Sequence, residues 1–511
     1  MAPIIRPEIG WDWDSKPQNN AKNSNLPQKF FQIDYNGHAL MFTVDVLGKG
    51  VQPDSKSCPM WICLHGGGTT SATNNNDEEW TSARKDLFEK LISTHAAAHG
   101  PIIMVCPRGV STKERHGDVP AYDEYNLHFR DESYVLMEQM IIRLLRPNKA
   151  IEPYFVDPNR VFLWGFSAGG DGAFNVGARL IDRFAGVVAA AGHPNGAPFD
   201  NCANLEMLLQ VGERDVLVGS GERRISRAKV YLEEIRTRLM DLQKEKGGNG
   251  SLYSYTCMVV QTETAPPGTD YFYHNSWSTD DTRTILKASR DDEATVKAWL
   301  QQNDLQGEKF KKWLAATDAN RVWTTPPRPE WYNPNTTINP LQVFADKYKR
   351  NPTPNRVIWH LKARPPKPQV PGKPEEAPKG WEKRMMYWLY VRQSPLDSVA
   401  AGLVDNGAED VSTYTSGNTR IIHVARPNSH MGYLLKESWI SGGQTVTLRI
   451  NVDGSIGTKD FPLGSLVAQS TIKTQTKELS GDTELEFAAM VYLVGSSTAG
   501  WSAKIAQSLD G

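Results

Sequence analysis

The sequence predicts an α/β fold with a mostly parallel central sheet and a smaller C-terminal β-rich domain. Three observations carry this. The alternating stretch FFQIDYNGHALMFTVDV (30–46) has Asn36-Gly37 at its middle, a hairpin signal because type I′ turns need positive φ at both central residues. Short apolar runs then alternate with helix-like segments, the pattern of parallel strands joined by helical crossovers. From about residue 354 the pattern changes to short strands separated by turn residues.

The elements follow in order. Residues 1–27 are polar and read as irregular. MWICL (60–64) is a short buried strand, followed by a helix-like segment at 79–98 and the strand PIIMVC (101–106). A helix fits 131–146, then the strand RVFLWG (160–165), a helix at 168–181 and the strand FAGVVAAA (184–191). EMLLQVG (206–212), a charged helix at 222–245 and YSYTCMVV (253–260) complete the alternation. Residues 275–340 break the rhythm and read as an insertion or lid, and LQVFADKYKR (341–350) as the helix that closes the unit. A larger α/β domain over 28–352 and a β-rich domain over 353–511 are expected. The latter holds RVIWHL (356–361), RMMYWLYV (384–391), RIIHVA (420–425) and TVTLRI (445–450) as strands. Its loop 363–380 has Pro365, Pro368, Pro371 and Pro374 at every third residue, the polyproline II period. It reads as a stiff exposed loop, with a weak match to a polyproline-docking segment.

Composition narrows the function. Of 511 residues, Lys and Arg number 57 and Asp and Glu 58, for a formal charge of −1. Mixed along the chain, these charges give no footprint for nucleic acid or an anionic membrane. No apolar run approaches the roughly 18 residues that span a bilayer. The N-terminus lacks the basic start and apolar run of a secretion signal. The five cysteines include no CxxC pair, which fits thiols in a reducing, cytoplasmic compartment better than disulfides or a zinc site.

The chemistry centres on GFSAG (165–169). It matches the G-x-S-x-G turn in which a strand-to-helix bend lifts a serine above the sheet edge. Gly165 and Gly169 must be small there because the turn crowds them, and the Ala168 amide at the helix start would face a developing oxyanion. LHGGGTT (64–70) follows an earlier strand, and its consecutive glycines let amides approach an anion closely. Gly67 and Gly68 are the expected donors, each worth roughly 3–4 kcal/mol to a transition state. The loop lacks the G-K-[ST] ending of a phosphate cradle.

Ser167 then needs an acid and a base. GERD (212–215) offers Glu213 and Asp215. Asp215 is favoured as the acid and Glu213 is read as a solvated charge. Four histidines follow: His274, His360, His423 and His430. His274 lies in a loop after the last strand of the alternation and is favoured as the base. His360 and His423 sit inside predicted strands and read as structural, while His430 stays open as a base donated by the second domain. His65, His193, Asn126 and His128 are expected to contact substrate. His193 ends another strand on the same rim, and the last two lie in YNLHF (125–129).

The chain resembles the polyhydroxybutyrate-depolymerase and feruloyl-esterase-like α/β-hydrolases, in particular a subgroup with a C-terminal β domain. The resemblance rests on HGGG with NNNDEEW, YNLHF, DPNRVFLWGFSAGGDGAF, AGHPNGA, the GERD turn, RNPTPNRVIW and MYWLYV. It implies an α/β-hydrolase fold, Ser167 as nucleophile and Asp215 as acid. It also implies a serine hydrolase that cleaves small-molecule or polymeric carboxylic esters, with no cofactor and no metal. In the family the base precedes the helix leading into the RNPTP segment; here about 60 additional residues separate His274 from that helix. Two other readings compete: a peptidase of the same fold, and a non-catalytic protein that binds carbohydrate or a partner.

Overall fold

Short apolar runs buried on both sides build the central sheet, as expected of parallel strands covered by helices on two faces. The computed structural model describes residues 18–19, 29–35, 38–50, 56–67, 80–81, 83–108, 111–112, 131–194, 196–213, 215–218, 224–247, 252–260, 283–289, 292–302, 339–360, 383, 385–392, 409–440, 443–451, 457–482, 485–496 and 500–509.

The sheet opens with β1 (Gln18–Asn19), β2 (Lys29–Tyr35) and β3 (His38–Leu47). Tyr35 pairs with His38, which leaves two residues for the hairpin turn. Next come β4 (Ser57–Leu64), helix α1 (Glu89–His99), β5 (Ile102–Pro107) and the short β6 (Ser111–Thr112) beside β3. Helix α2 (Asp131–Leu144), β7 (Phe155–Phe166), helix α3 (Ala168–Arg179), β8 (Gly186–Ala190) and β9 (Glu206–Gly212) follow. The ribbon β10 (Val216–Val218) with β11 (Arg224–Ser226) precedes a helical stretch that ends in α4 (Arg236–Lys246), and β12 (Ser254–Val260) comes after it. With β13 (Thr284–Ala288), the strand order is β1-β2-β3-β5-β4-β7-β8-β9-β12-β13. Pairing is parallel from β5 through β12 and antiparallel at both ends. This is the α/β-hydrolase fold.

Alternation along the strands divides the core. Met60, Ile62, Val161 and Leu163 face one apolar cluster, with α2 and α3. Trp61, Cys63, Phe162 and Trp164 face another, with α1 and α6 (Pro340–Lys347). Part of the stretch expected as a lid belongs to the sheet: β13 (Thr284–Ala288) pairs antiparallel with β12, and α5 (Glu293–Gln302) follows it. Residues 303–338 and the proline-rich 363–380 lie outside the described residues.

The C-terminal part forms two further sheets. One orders β14 (Arg356–Trp359), β17 (Glu409–Ser416), β18 (Thr419–Val424), β20 (Thr445–Asn451) and β21 (Thr458–Ser465). The other orders β15 (Met385–Met386), β16 (Leu389–Val391), β19 (Met431–Lys436), β22 (Phe487–Ser496) and β23 (Gly500–Ala506). Helices α7 (Glu437–Ile440) and α8 (Ser470–Ser480) lie among these strands. RMMYWLYV is thus a hairpin and not one strand: it reverses at Tyr387, whose φ is 53°.

The apolar cluster on the α2 and α3 face continues into the C-terminal sheets, and a buried ionic seam accompanies it. Arg183 reaches Glu138 at 2.8 Å and donates to the Ser480 carbonyl at 2.7 Å. Lys383 pairs with Glu138 and, at 2.9 Å, with Asp182. Arg350 donates to the Asp182 carbonyl at 2.7 Å and pairs with Asp482. Three cations thus meet three carboxylates, all buried. Burial alone would raise the Asp182 carboxyl, but Lys383, Arg183 and Arg350 together hold it below its ordinary value.

All five cysteines are buried free thiols. Among the described residues no helix is long and apolar enough to cross a membrane.

Candidate active site

The site is built where β7 stops. After Phe166 the chain turns sharply at Ser167, with φ 56° and ψ −120°, and enters α3 at Ala168. L-residues rarely adopt this backbone, and holding one there costs of order 1–3 kcal/mol. Two hydrogen bonds fix the turn. The Ser167 amide donates to the Ala190 carbonyl at 2.9 Å, and its carbonyl accepts from the Asp171 amide at 3.0 Å. A side chain at Gly165 would strike the Gly169 carbonyl, and one at Gly169 would strike the carbonyls of Leu64 and His65. The end of β4 therefore lies against the first turn of α3. The Ala168 amide belongs to that turn, where amides have no acceptor within the helix and the helix dipole is positive.

Gly67 lies just past the end of β4 and is exposed. His65, expected to contact substrate, is fully buried. Its Nδ1 lies 2.6 Å from the Gly66 carbonyl; a carbonyl only accepts, so this nitrogen carries the proton. Burial pushes the ring down to about 4, against the Gly66 hydrogen bond and helped by the Arg108 charge. The His65 ring is thus neutral, bonded to the glycine loop and closed to solvent.

His193 is partly buried on the loop after β8, beside the Ser167 turn. Its amide donates to the Asp171 carboxylate at 2.5 Å. The neighbouring Gly192 amide donates to the Tyr231 hydroxyl at 2.7 Å, and the Tyr231 ring packs edge-on against Phe174. Burial raises the Tyr231 hydroxyl well above its ordinary value, so it stays protonated. Asp171 and Tyr231 escaped the sequence reading. Asp171 stands one helical turn after the serine, a spacing that could have singled it out, whereas Tyr231 carried no local signal.

Asp215 is fully buried at the mouth of β10, and Arg227 holds its Oδ1 at 2.6 Å. The backbone repeats the link, with the Arg227 amide donating to the Asp215 carbonyl at 2.9 Å. Arg227 was not anticipated. Glu213, read as a solvated charge, is buried instead, because its amide donates to the Val260 carbonyl and ties the turn to the end of β12.

His274, Gly68, Asn126 and His128 lie outside the described residues. The other three candidate histidines sit among the C-terminal sheets. His360 follows β14 and donates its amide to Asn201. His423 in β18 bonds Asn451 through Nε2 at 2.8 Å. The His430 amide donates to Asn428 at 2.9 Å, and its carbonyl accepts from Arg392 at 2.7 Å.

A strained serine at the carboxyl end of a central parallel strand, beside a glycine loop and a helix N-terminus, defines the class at the level of fold: an α/β-hydrolase fold with its serine turn at the sheet's carboxyl rim. No family model matches the chain, and no curated protein matches it. Among solved structures it is similar to a thermostable esterase at 17% identity and a TM-score of 0.30, over 48% of this chain and 58% of that one. It is also similar to a BES protein from Bacillus cereus at 13% identity and a TM-score of 0.30, over 48% and 92% of the two chains. A third likeness is to an S-formylglutathione hydrolase from Agrobacterium tumefaciens, at 17% and 0.29, over 46% and 86%.

Proposed function

We propose that the protein is a serine hydrolase that cleaves carboxylic esters. The observation that carries this is the backbone of Ser167, held at φ 56° between β7 and α3 by glycines that admit no side chain. Such strain persists where the surroundings over-determine it, which is characteristic of functional positions. In this reading His274 takes the Ser167 proton while Oγ attacks the ester carbonyl. Asp215, kept buried by Arg227, orients the imidazole and stabilises its charged form. The amides of Gly67, Gly68 and Ala168 hold the oxyanion. The alkoxide leaves with the proton from His274, and water then releases the acid from the acyl-serine. His193, Asn126 and His128 line the substrate side, while His65 supports the loop from within. This chemistry calls for no metal and no cofactor. The five buried thiols support a reducing, cytoplasmic setting.

The test is covalent labelling by a fluorophosphonate probe together with hydrolysis of a short-chain p-nitrophenyl ester. Wild type is expected to label and turn over. Ser167→Ala is expected to fold, lose labelling and lose at least about a thousandfold in rate. An unlabelled, well-folded wild type would end the enzyme reading in favour of a binding protein. Turnover of matched unactivated amides or peptides, lost in Ser167→Ala, would make it a peptidase.

A further inference from the structure

We propose that His95, His99 and Asp346 form a binding site for a divalent transition-metal ion of the zinc class, which staples α1 to α6. The two histidines stand four residues apart on α1, so both rings project from one face of the helix. Asp346 stands opposite on α6. Its Oδ1 lies 3.5 Å from His95 Nε2 and its Oδ2 3.2 Å from His99 Nε2, and one ligand atom from each of the three residues falls within 4.8 Å of the others. Zinc bonds of ~2.0–2.1 Å at tetrahedral angles place ligand atoms about 3.3–3.4 Å apart. Each imidazole already stands within a few tenths of an ångström of that spacing from one of the two carboxylate oxygens. Two imidazoles and one carboxylate form a donor set suited to zinc and its neighbours in the transition series, and leave a fourth position for water.

A fourth polar side chain adjoins the three. Gln342, one turn before Asp346, has its side-chain amide 2.6 Å from the same His99 nitrogen. Each helix therefore offers a pair of polar side chains at i and i+4, aimed at its partner. With its amide turned to present the oxygen, Gln342 would offer a bound ion a further protein donor beside His99. His95 is buried, whereas His99 and Asp346 are about half exposed, so an ion has an open way in.

The site stands apart from the serine. Phe344 of α6 packs against Gly186 at the amino end of β8, while Ser167 bonds Ala190 at its carboxyl end. Ile92 and Ala96 of α1 share one apolar cluster with Leu341, Phe344 and Ala345 of α6. An ion would thus cross-link the two helices that cover this face of the sheet, without touching the reaction.

The experiment uses the full chain, stripped with a chelator and titrated with Zn²⁺ by calorimetry, and with Co²⁺ to read ligand-field absorption. Wild type is expected to bind one equivalent, to show the intense bands of a four-coordinate Co²⁺ site and to gain melting temperature on loading. His99→Ala and Asp346→Asn alter exposed side chains and are expected to keep the metal-free melting temperature. Each is expected to lose at least about tenfold in affinity and most of the thermal gain, with ester hydrolysis unchanged. Wild type that binds neither ion, or variants that bind and gain as wild type does, would overturn the site.

Discussion

The Ser167 turn and the seam against the C-terminal sheets both bury polar groups, and they do so by opposite means. The seam buries three full cations and three carboxylates and neutralises them against one another: Arg183, Lys383 and Arg350 with Glu138, Asp182 and Asp482. The rim has one buried ion pair of its own, Asp215 with Arg227, but at the turn itself it buries a titratable ring, His65, and keeps it uncharged. Close beside it, backbone amides and carbonyls supply the polarity, packed so tightly that only glycine fits. The difference teaches what each region resists. A seam of paired charges is vulnerable to the loss of one partner, because desolvation of the remainder is no longer offset. A neutral buried ring is vulnerable to a proton.

The largest effect is expected at the seam. Lys383→Met removes one cation whose side chain is only 7% exposed and leaves Glu138 and Asp182 short of a partner. The expected cost is about 3–5 kcal/mol of stability, the usual result of orphaning one member of a buried ion pair. Adding Glu138→Gln restores neutrality and is expected to recover more than half of the loss. Urea midpoints of the single and double variants check this. A double variant no more stable than Lys383→Met would mean that packing, and not charge balance, holds the seam.

The rim is expected to fail in its own pH window. The folded His65 ring sits at about 4, below its ordinary 6.5. Protonation therefore favours the unfolded chain. The stabilisation is complete above pH 6.5 and drains away as pH falls towards 4, by at most ~3 kcal/mol from the separation of the two values. The seam behaves otherwise, since Asp182 is held below its ordinary 3.8 and its contribution persists until the pH falls beneath that value. His65→Gln keeps a donor for the Gly66 carbonyl but cannot titrate. It is expected to flatten the stability profile between pH 6.5 and 4 while leaving the more acidic limb in place. A profile unchanged by the substitution would show that His65 does not govern that window.

How much of this was legible follows the same division. Around the rim the signals are local. Apolar runs mark strands buried on both faces, and glycines around one serine mark a turn that tolerates nothing larger. Ser167 and the end of β4 could therefore be placed from a few consecutive residues. The partners could not. Arg227 meets Asp215 across 12 positions, and Glu213 looks like any turn carboxylate until Val260 takes its amide. In the C-terminal part the limit is different. β21 carries Thr458, Lys459 and Asp460 on an exposed edge and has no apolar period to betray it. The hairpin at Tyr387 hides because its positive φ is imposed by tertiary contacts, among them the Tyr387 hydroxyl bonding the Ile181 carbonyl at 3.3 Å. His95 and His99 show a readable four-residue spacing, but only the fold brings Asp346 against them.

The smallest effect is also the sharpest test of the rim. If Ser167 is strained, glycine should relieve it, because glycine occupies positive φ at little cost. Alanine keeps the Cβ and should not. Ser167→Gly is expected to be more stable than Ser167→Ala by about 1 kcal/mol, once the greater freedom of glycine in the unfolded chain is set against the relief. Both variants lose the hydroxyl, so activity cannot confuse the comparison, and glycine also serves adequately at a helix N-cap. Thermal melts of the two proteins side by side give the sign directly. An alanine variant as stable as the glycine one would show that the backbone at residue 167 stores no strain, and the rim would then lose the feature that most separates it from an ordinary strand-to-helix turn.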